Sequence, residues 1–553
     1  MKHSFTTAAL LAGMAALAAS CSDMKQIKRM PYPETERGGV VDNYFGTEVP
    51  DPYRWLEDDN SEATAAWVAA ENAVTENYLS QIPFRGAIRE RLTELWNYPK
   101  EGAPVKHGDW WYYYYNDGLQ NQSVLYRRSS EKQFRTLLKG FDADYAPVTV
   151  KDDALYYVTN RDAMNYALCR IDLNSPKRIE TVIPEHETTL LEGVSAVGGY
   201  LFASYLENAQ DKIVQFDFDG RRVRDVQLPA IGTVGGFSGE KEATELYYTL
   251  TNYTAPATVY HYDIATGEST LYKAPEVNFD PSLFVTEQVF YPSKDGTRVP
   301  MFITHRKDMK LDGQNPCLLY GYGGFQINLT PGFNPSALMF VEQGGIYCVA
   351  NLRGGSEYGE AWHRAGMLDR KQNVFDDFIA AAEYLIAGKY TSSERLAING
   401  GSNGGLLVGA CEVQRPDLYA VCLPQVGVMD MLRYHKFTIG WGWVVEYGSS
   451  DNAEQFPYIY AYSPVHNIRE GVKYPATLVM TADHDDRVVP AHSFKFAAQM
   501  QHCQAGDAPV LIRIESKAGH GAGKPTSKRI DEAADMYAFL FQNIGVPYRP
   551  VKK

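Results

Sequence analysis

The chain has 553 residues, 45% of them hydrophobic, with 53 Lys and Arg against 67 Asp and Glu for a formal net charge of −14. That length leaves room for more than one hydrophobic core, and an acidic balance without a basic patch argues against a nucleic-acid partner. Its seven cysteines are scattered without paired or metal-ligand spacing, so the sequence predicts buried free thiols rather than a disulfide framework and calls for no metal and no cofactor.

In chain order, Lys2 precedes an apolar run from Phe5 through Leu17, and small residues then lead to Cys21. This is the pattern of a secretory signal over residues 1–20. Ala18-Ala19-Ser20-Cys21 approximates a bacterial lipobox, with Leu17 one place further from the cysteine than that pattern asks. Cys21 is therefore a candidate lipidation site, and the expected location is the periplasm or the envelope membrane. Residues 62–82 and 84–96 read as helices, rich in alanine and spaced aromatics, within an N-terminal segment 21–100.

From 101 to 283 the texture changes to short aromatic strands. Trp111–Tyr114, Leu155–Val158, Leu201–Ser204 and Leu246–Thr249 recur every 44 to 46 residues, each followed at a similar offset by a second strand-like run. A fourfold repeat of paired strands with that period predicts β-propeller blades, which an ordinary meander would not space so evenly.

The remainder, 284–553, predicts an α/β-hydrolase fold with a doubly wound, mostly parallel sheet. Gly400-Gly401-Ser402-Asn403-Gly404 lies between the strand-like run 395–399 and the small-residue run 406–411, the setting a nucleophile elbow requires. The fold orders its triad Ser, acid, His. After Ser402, the run 476–481 ends in an acidic cluster in which Asp483, Asp485 and Asp486 compete for the acid role, and Gly519-His520-Gly521 follows the run 510–514 and supplies the base. His484 precedes two of those acids, which argues against it as the base. The Asn403 N–H and a tyrosine hydroxyl from the glycine-rich loop 320–325 are candidate oxyanion donors.

Asp51–Glu57, the 320–325 loop, Asn351–Gly355, Gly400–Leu407, Asp483–Pro490 and Ala518–Gly523 together resemble the prolyl oligopeptidase family of serine peptidases, over roughly residues 30 to 100 and 285 to 548. The resemblance implies Ser402, Asp485 and His520 as the triad, and the Tyr322 hydroxyl with the Asn403 N–H as the oxyanion hole. It also implies a proline pocket of Trp443, Tyr447, Phe325 and Val488, with Arg487 bonding a substrate carbonyl. Trp441 and Glu446 depart from the expected pattern beside that pocket. The family's propeller has seven blades, whereas about four fit here, so the reading includes a shortening near Ser129-Ser130-Glu131 and a weaker size filter over the site. The expected function is hydrolysis of short peptides after proline by a monomer. The alternatives are a related oligopeptidase with basic or blocked-end specificity, an esterase, or a catalytically impaired binding protein.

Overall fold

The structure, a computed structural model, describes residues 27–59, 61–98, 100–101, 105–107, 110–116, 119, 124–126, 143–174, 178–516, 518–521 and 524–550. Cys21 and the junction at 129–131 lie outside the described residues.

The catalytic half is built on eight strands: β1 Phe284–Pro292, β2 Arg298–Arg306, β3 Cys317–Tyr320, β4 Ile346–Ala350, β5 Leu396–Gly401, β6 Val421–Gln425, β7 Ala476–Ala482 and β8 Val510–Glu515. Their spatial order is β1-β2-β4-β3-β5-β6-β7-β8. The β1–β2 and β2–β4 pairs are antiparallel and every later pair is parallel. The strands from β3 onward are near-continuous apolar runs because helices cover both faces. Helices α1 (Glu62–Ser80), α2 (Arg85–Trp96), α3 (Pro335–Glu342) and α7 (Thr526–Asn543) share one core with the sheet. Helices α4 (Gln372–Ala387) and α5 (Asn403–Gln414) pack on the other face, and α6 (Ala491–Cys503) joins the third cluster.

The N-terminal segment closes this sheet at one edge. Helix α1 starts at the Ser61 cap, whose side chain accepts the Thr64 N–H, and lies along edge strand β8. There Thr75 Oγ1 donates to the Ile512 carbonyl at 2.6 Å, while Asn72 accepts the Ile514 N–H at 2.9 Å and donates to its carbonyl at 3.1 Å. The backbone groups an edge strand leaves open are thereby satisfied. A second tie is a buried cluster in which the Lys495 ammonium bonds Asp51 at 2.7 Å, Glu57 at 2.7 Å and Asp430 at 2.8 Å. The three carboxylates have the spacing of a metal cage, but the lysine occupies its centre.

The blade-like repeats form four antiparallel sheets. The second is Tyr145–Lys151, Ala154–Thr159, Ala167–Asp172 and Ile179–Ile183; the third is Leu190–Val197, Tyr200–Glu207, Gln210–Phe216 and Arg222–Asp225; the fourth is Thr233–Gly236, Glu245–Asn252, Ala255–Asp263 and Ser269–Lys273. In the first, Trp110–Asn116 pairs Val124–Tyr126 on one side and the short strands Lys100–Glu101 and Val105–His107 on the other. The recurring sequence pairs are the second and third strands of the second, third and fourth sheets, and Trp110–Asn116 with Val124–Tyr126 in the first. Separate apolar clusters join the second sheet to the third and the third to the fourth.

Candidate active site

Four loops at the carboxyl ends of parallel strands converge, after β3, β5, β7 and β8, as ligand sites in open α/β sheets do. The β5–α5 turn carries Ser402 at φ 59° and ψ −118°, a conformation a non-glycine residue adopts only when its surroundings enforce it. They do so here by close packing. A Cβ on Gly400 would strike the Gly404 carbonyl, and one on Gly404 would lie 2.7 Å from the Gly321 carbonyl. The Ser402 N–H is held by the Gln425 carbonyl on β6 at 2.9 Å.

Ser402 Oγ lies 3.1 Å from His520 Nε2, and His520 Nδ1 lies 2.6 Å from Asp485 Oδ2. The other oxygen of Asp485 accepts the backbone N–H groups of Arg487 and Val488 at 3.0 and 2.9 Å, which fixes the carboxylate in a buried position. Of the three competing acids, Asp485 meets the imidazole, whereas Asp483 bonds the exposed His484 at 2.6 Å. An imidazole held in this way can take the serine proton while the carboxylate sets its tautomer.

The Asn403 N–H is the first of helix α5 and has no partner within that helix. Across from it, the Tyr322 hydroxyl is within hydrogen-bonding reach of Ser402, and burial pushes its pKa up to about 12, against the opposing effects of that hydrogen bond and the Arg487 charge. It therefore remains a protonated donor at neutral pH. Arg487 is itself exposed, and among the described residues its guanidinium makes no ion pair with Asp485 or Asp486.

The predicted pocket residues share one apolar cluster, with Tyr447 and Val488 fully buried and Phe325 and Trp443 packed against it. Phe325 meets Tyr447 edge-on at 5.4 Å, and Trp443 lies parallel to Tyr434 at 6.3 Å. Two of these residues are tied to the elbow and the triad: the Tyr447 hydroxyl donates to Asn403 Oδ1 at 2.9 Å, and the Val488 N–H donates to Asp485. Trp441, by contrast, is 72% exposed. Glu446 is turned inward, where Oε1 accepts the Phe325 N–H at 2.9 Å and Oε2 meets His363 Nε2 at 2.8 Å. Burial alone would raise its pKa, but the His363 hydrogen bond and the Lys371 charge outweigh burial and lower it.

Sequence reasoning missed Lys371 and His363. Lys371 stands immediately before α4, buried to 1% exposure, and donates to the Gly323 carbonyl at 2.7 Å and to Asn403 Oδ1 at 3.0 Å. The available signal was its place just before an amphipathic helix, which reads as an ordinary surface lysine.

A strained serine at a strand-to-helix turn, with its imidazole and carboxylate on later strand ends and blade-like sheets inserted before the catalytic sheet, defines a serine hydrolase of the α/β-hydrolase fold with a propeller domain. The prolyl oligopeptidase family model matches residues 331–547, and that for the prolyl oligopeptidase N-terminal beta-propeller domain matches 32–133 and 129–275; the chain belongs to the prolyl oligopeptidase family. It is 38% identical to a prolyl endopeptidase of Elizabethkingia miricola over 696 aligned positions, covering 97% of this chain and 99% of that protein. A prolyl endopeptidase of Elizabethkingia meningoseptica is 37% identical with the same coverage. Among solved structures, one from a study of two prolyl endopeptidases superposes with a TM-score of 0.88 at 34% identity, covering 94% of this chain and all of that one. Prolyl oligopeptidase B from Galerina marginata, bound to a 35-mer substrate, also gives 0.88, at 29% identity and 94% coverage. The 696-position alignment is longer than the 553-residue chain, so it opens gaps in this sequence. The excess corresponds to between about three and four repeats of a 45-residue blade. The two propeller matches meet at residues 129–133.

Proposed function

We propose that the chain is a serine endopeptidase that hydrolyses short peptides on the carboxyl side of proline. Ser402 Oγ attacks the prolyl carbonyl as His520 takes its proton, and Asp485 stabilises the imidazolium. The tetrahedral oxyanion is met by the Tyr322 hydroxyl and the Asn403 N–H. His520 then protonates the leaving amine, and a water repeats the sequence on the acyl-enzyme. Arg487, exposed beside the site, bonds a carbonyl on the amino-terminal side of the proline.

The observation that carries the specificity is the character of the slot. The residues assigned to its walls, Trp443, Phe325, Tyr447 and Val488, belong to or pack on one apolar cluster, and the neighbouring carboxylate, Glu446, is already engaged by His363 and the Phe325 N–H. A flat apolar ring fits such a slot, whereas a basic side chain would be buried without a free counter-charge. This favours proline over basic specificity.

The test is hydrolysis of blocked Gly-Pro and Gly-Arg reporters by the purified mature chain and by Ser402→Ala. Cleavage of the proline reporter alone, abolished in the variant, is the expected result; silence on both by a folded protein would overturn the proposal.

The first twenty residues support a further part of the proposal, export to the envelope with a lipid on Cys21. Metabolic labelling with a radioactive fatty acid, lost in Cys21→Ser, tests it. Gel filtration tests the proposal that the enzyme is a monomer.

A further inference from the structure

Lys371 has no place in the catalytic scheme, yet its ammonium joins the two strand-end loops that carry the oxyanion donors. Gly323, whose carbonyl it bonds at 2.7 Å, directly follows Tyr322, and Asn403, whose Oδ1 it bonds at 3.0 Å, supplies the other donor through its own peptide N–H. The same amide closes the link from its other end, with Asn403 Nδ2 donating to the Tyr322 carbonyl at 2.6 Å. Tyr447 donates to the shared Oδ1 and turns its ring towards the ammonium, 5.4 Å from the ring centroid. The loops are also in steric contact, since a Cβ on Gly324 would lie 2.7 Å from Asn403 Nδ2.

The charge is as informative as the bonds. Among the described residues no carboxylate forms a salt bridge with Lys371. Glu446 acts on it from a distance while bonding His363 and Phe325. A buried cation without a contact counter-ion is costly, and an apolar residue would cost the fold less. The cost is offset when a negative charge forms nearby, as it does on the prolyl oxygen in the tetrahedral intermediate.

We propose that Lys371 is a positioning residue that sets the separation of the Tyr322 and Asn403 donors and biases the site towards the oxyanion. This rests on the peptidase reading above. A methionine at this position would leave the Gly323 carbonyl and one lone pair of Asn403 without their donor, and the loop would relax away from the elbow. Substrate binding in the proline slot would largely persist, because Trp443 rests on Tyr434, Val488 is held by Asp485 and the Phe325 N–H by Glu446, so that of the walls only Tyr447 loses a direct contact.

The experiment compares wild type, Lys371→Met and Lys371→Gln on a Gly-Pro reporter. It also measures two inhibitors: a peptidyl prolinal, whose aldehyde adds Ser402 to form an oxyanion, and the matching peptidyl pyrrolidide, which fills the slot but has no carbonyl to place in the hole. Folding is checked by thermal unfolding and by active-site titration with a fluorophosphonate. The expected result is a fall in kcat of about a hundredfold, KM within about threefold, a parallel loss of prolinal affinity and an unchanged pyrrolidide affinity.

Equal losses for both inhibitors, or unchanged kcat in a folded variant, would overturn the proposal. If neither variant folds, wild type carries the test through the prolinal-to-pyrrolidide affinity ratio, which should fall as pH rises past about 8, where burial places the ammonium's pKa. The other titratable groups facing this region are Glu446, His363, Glu360, Tyr322, Tyr447 and the triad's His520 and Asp485. The two phenols are pushed up by burial and Glu446 is held down, so they titrate away from that window, whereas for His363 the lowering effect of burial is outweighed by the Glu446 bond, which raises it. The fall is therefore measured also in Lys371→Arg, which keeps its charge at this pH with both histidines in place and should abolish the fall. A flat ratio in wild type, or a fall that persists in Lys371→Arg, would overturn the proposal. Silence of wild type itself on the Gly-Pro reporter would instead break the underlying peptidase reading.

Discussion

The catalytic half and the blades are stabilised in different ways. In the catalytic half the decisive contacts link distant parts of the chain: the Lys495–Asp51 bond spans 444 residues, His520–Ser402 118 and Tyr447–Asn403 44. In the blades, strands pair mainly with their sequence neighbours and apolar clusters join the second sheet to the third and the third to the fourth, while turns such as those at Asn208 and Tyr253 reach the catalytic half. The fourth sheet even leaves Leu271 and Tyr272 more than 60% exposed. A repeat array is close to one-dimensional, each unit answering mainly to its neighbours. Such an array can lose units while the catalytic half keeps its fold, and this chain aligns with its relatives only across gaps in its own sequence.

The largest effect should come from the centre of the catalytic half. Ser402→Ala is expected to lower kcat/KM on a Gly-Pro reporter by about 10⁴-fold or more, without moving the unfolding midpoint. Next is the clamp that holds the N-terminal segment. Lys495→Met removes the cation from all three carboxylates; Asp51 and Glu57 keep Arg54 and Arg433, but Asp430 is left buried without its ion-pair partner, a loss of about 3–5 kcal/mol measurable as a shift in the urea midpoint. If the variant kept wild-type stability, the contrast between long-range clamps and local blade contacts would fail.

How legible each half was follows from the same difference. The elbow and its partners were readable because Gly400-Gly401-Ser402-Asn403-Gly404 is a local requirement of one turn, and because strand ends deliver Asp485 and His520 in a fixed chain order. The blades were readable because a repeat announces its period. What could not be read was what buried charges do at long range. Lys371 and Lys495 look like surface lysines until the fold brings Asn403 to one and Asp51, Glu57 and Asp430 to the other. The interchange of β3 and β4 in the sheet was equally hidden, since strand order is set by crossovers whose direction leaves no mark on strand composition.

Within the blades, the corresponding test is Phe237, which packs against Phe202, Tyr248 and Tyr262 at centroid distances of 5.4, 4.8 and 5.7 Å. Phe237→Ala should destabilise the third and fourth sheets by about 3 kcal/mol, seen as faster limited proteolysis there, while kcat on the short reporter stays within about twofold. Discrimination against a long unfolded polypeptide should weaken. Parallel loss of short-peptide turnover would show the two halves to be one cooperative unit.

A smaller effect separates the halves by pH. Glu412 is buried in α5 with a hydrogen bond from Thr477, and burial raises its pKa to about 8 against that bond's opposing effect. Its folded pKa lies above its unfolded one, so the folded state binds more protons between about pH 4.5 and 8 and stability falls as pH rises through that window. Glu412→Gln should match wild type below about pH 4.5 and gain on it steadily as pH rises from about 4.5 to 8, in the catalytic half alone. A stability–pH curve parallel to wild type would rule this out.

The smallest effect is expected on the outer face of the fourth sheet. Leu271 and Tyr272 are 61% and 63% exposed, so transferring them to water on unfolding gains little, and Leu271→Ser or Tyr272→Ser should change stability by no more than about 0.5 kcal/mol. Tyr272 meets Tyr247 edge-on at 4.8 Å, an exposed contact that adds at most a fraction of that. A loss of 2 kcal/mol or more in either variant would mean that something covers this face in solution. The third and fourth sheets already reach the catalytic half over long sequence distances through Asn208–Tyr358 and Tyr253–Phe302, and this outer face would then have a partner of that kind too.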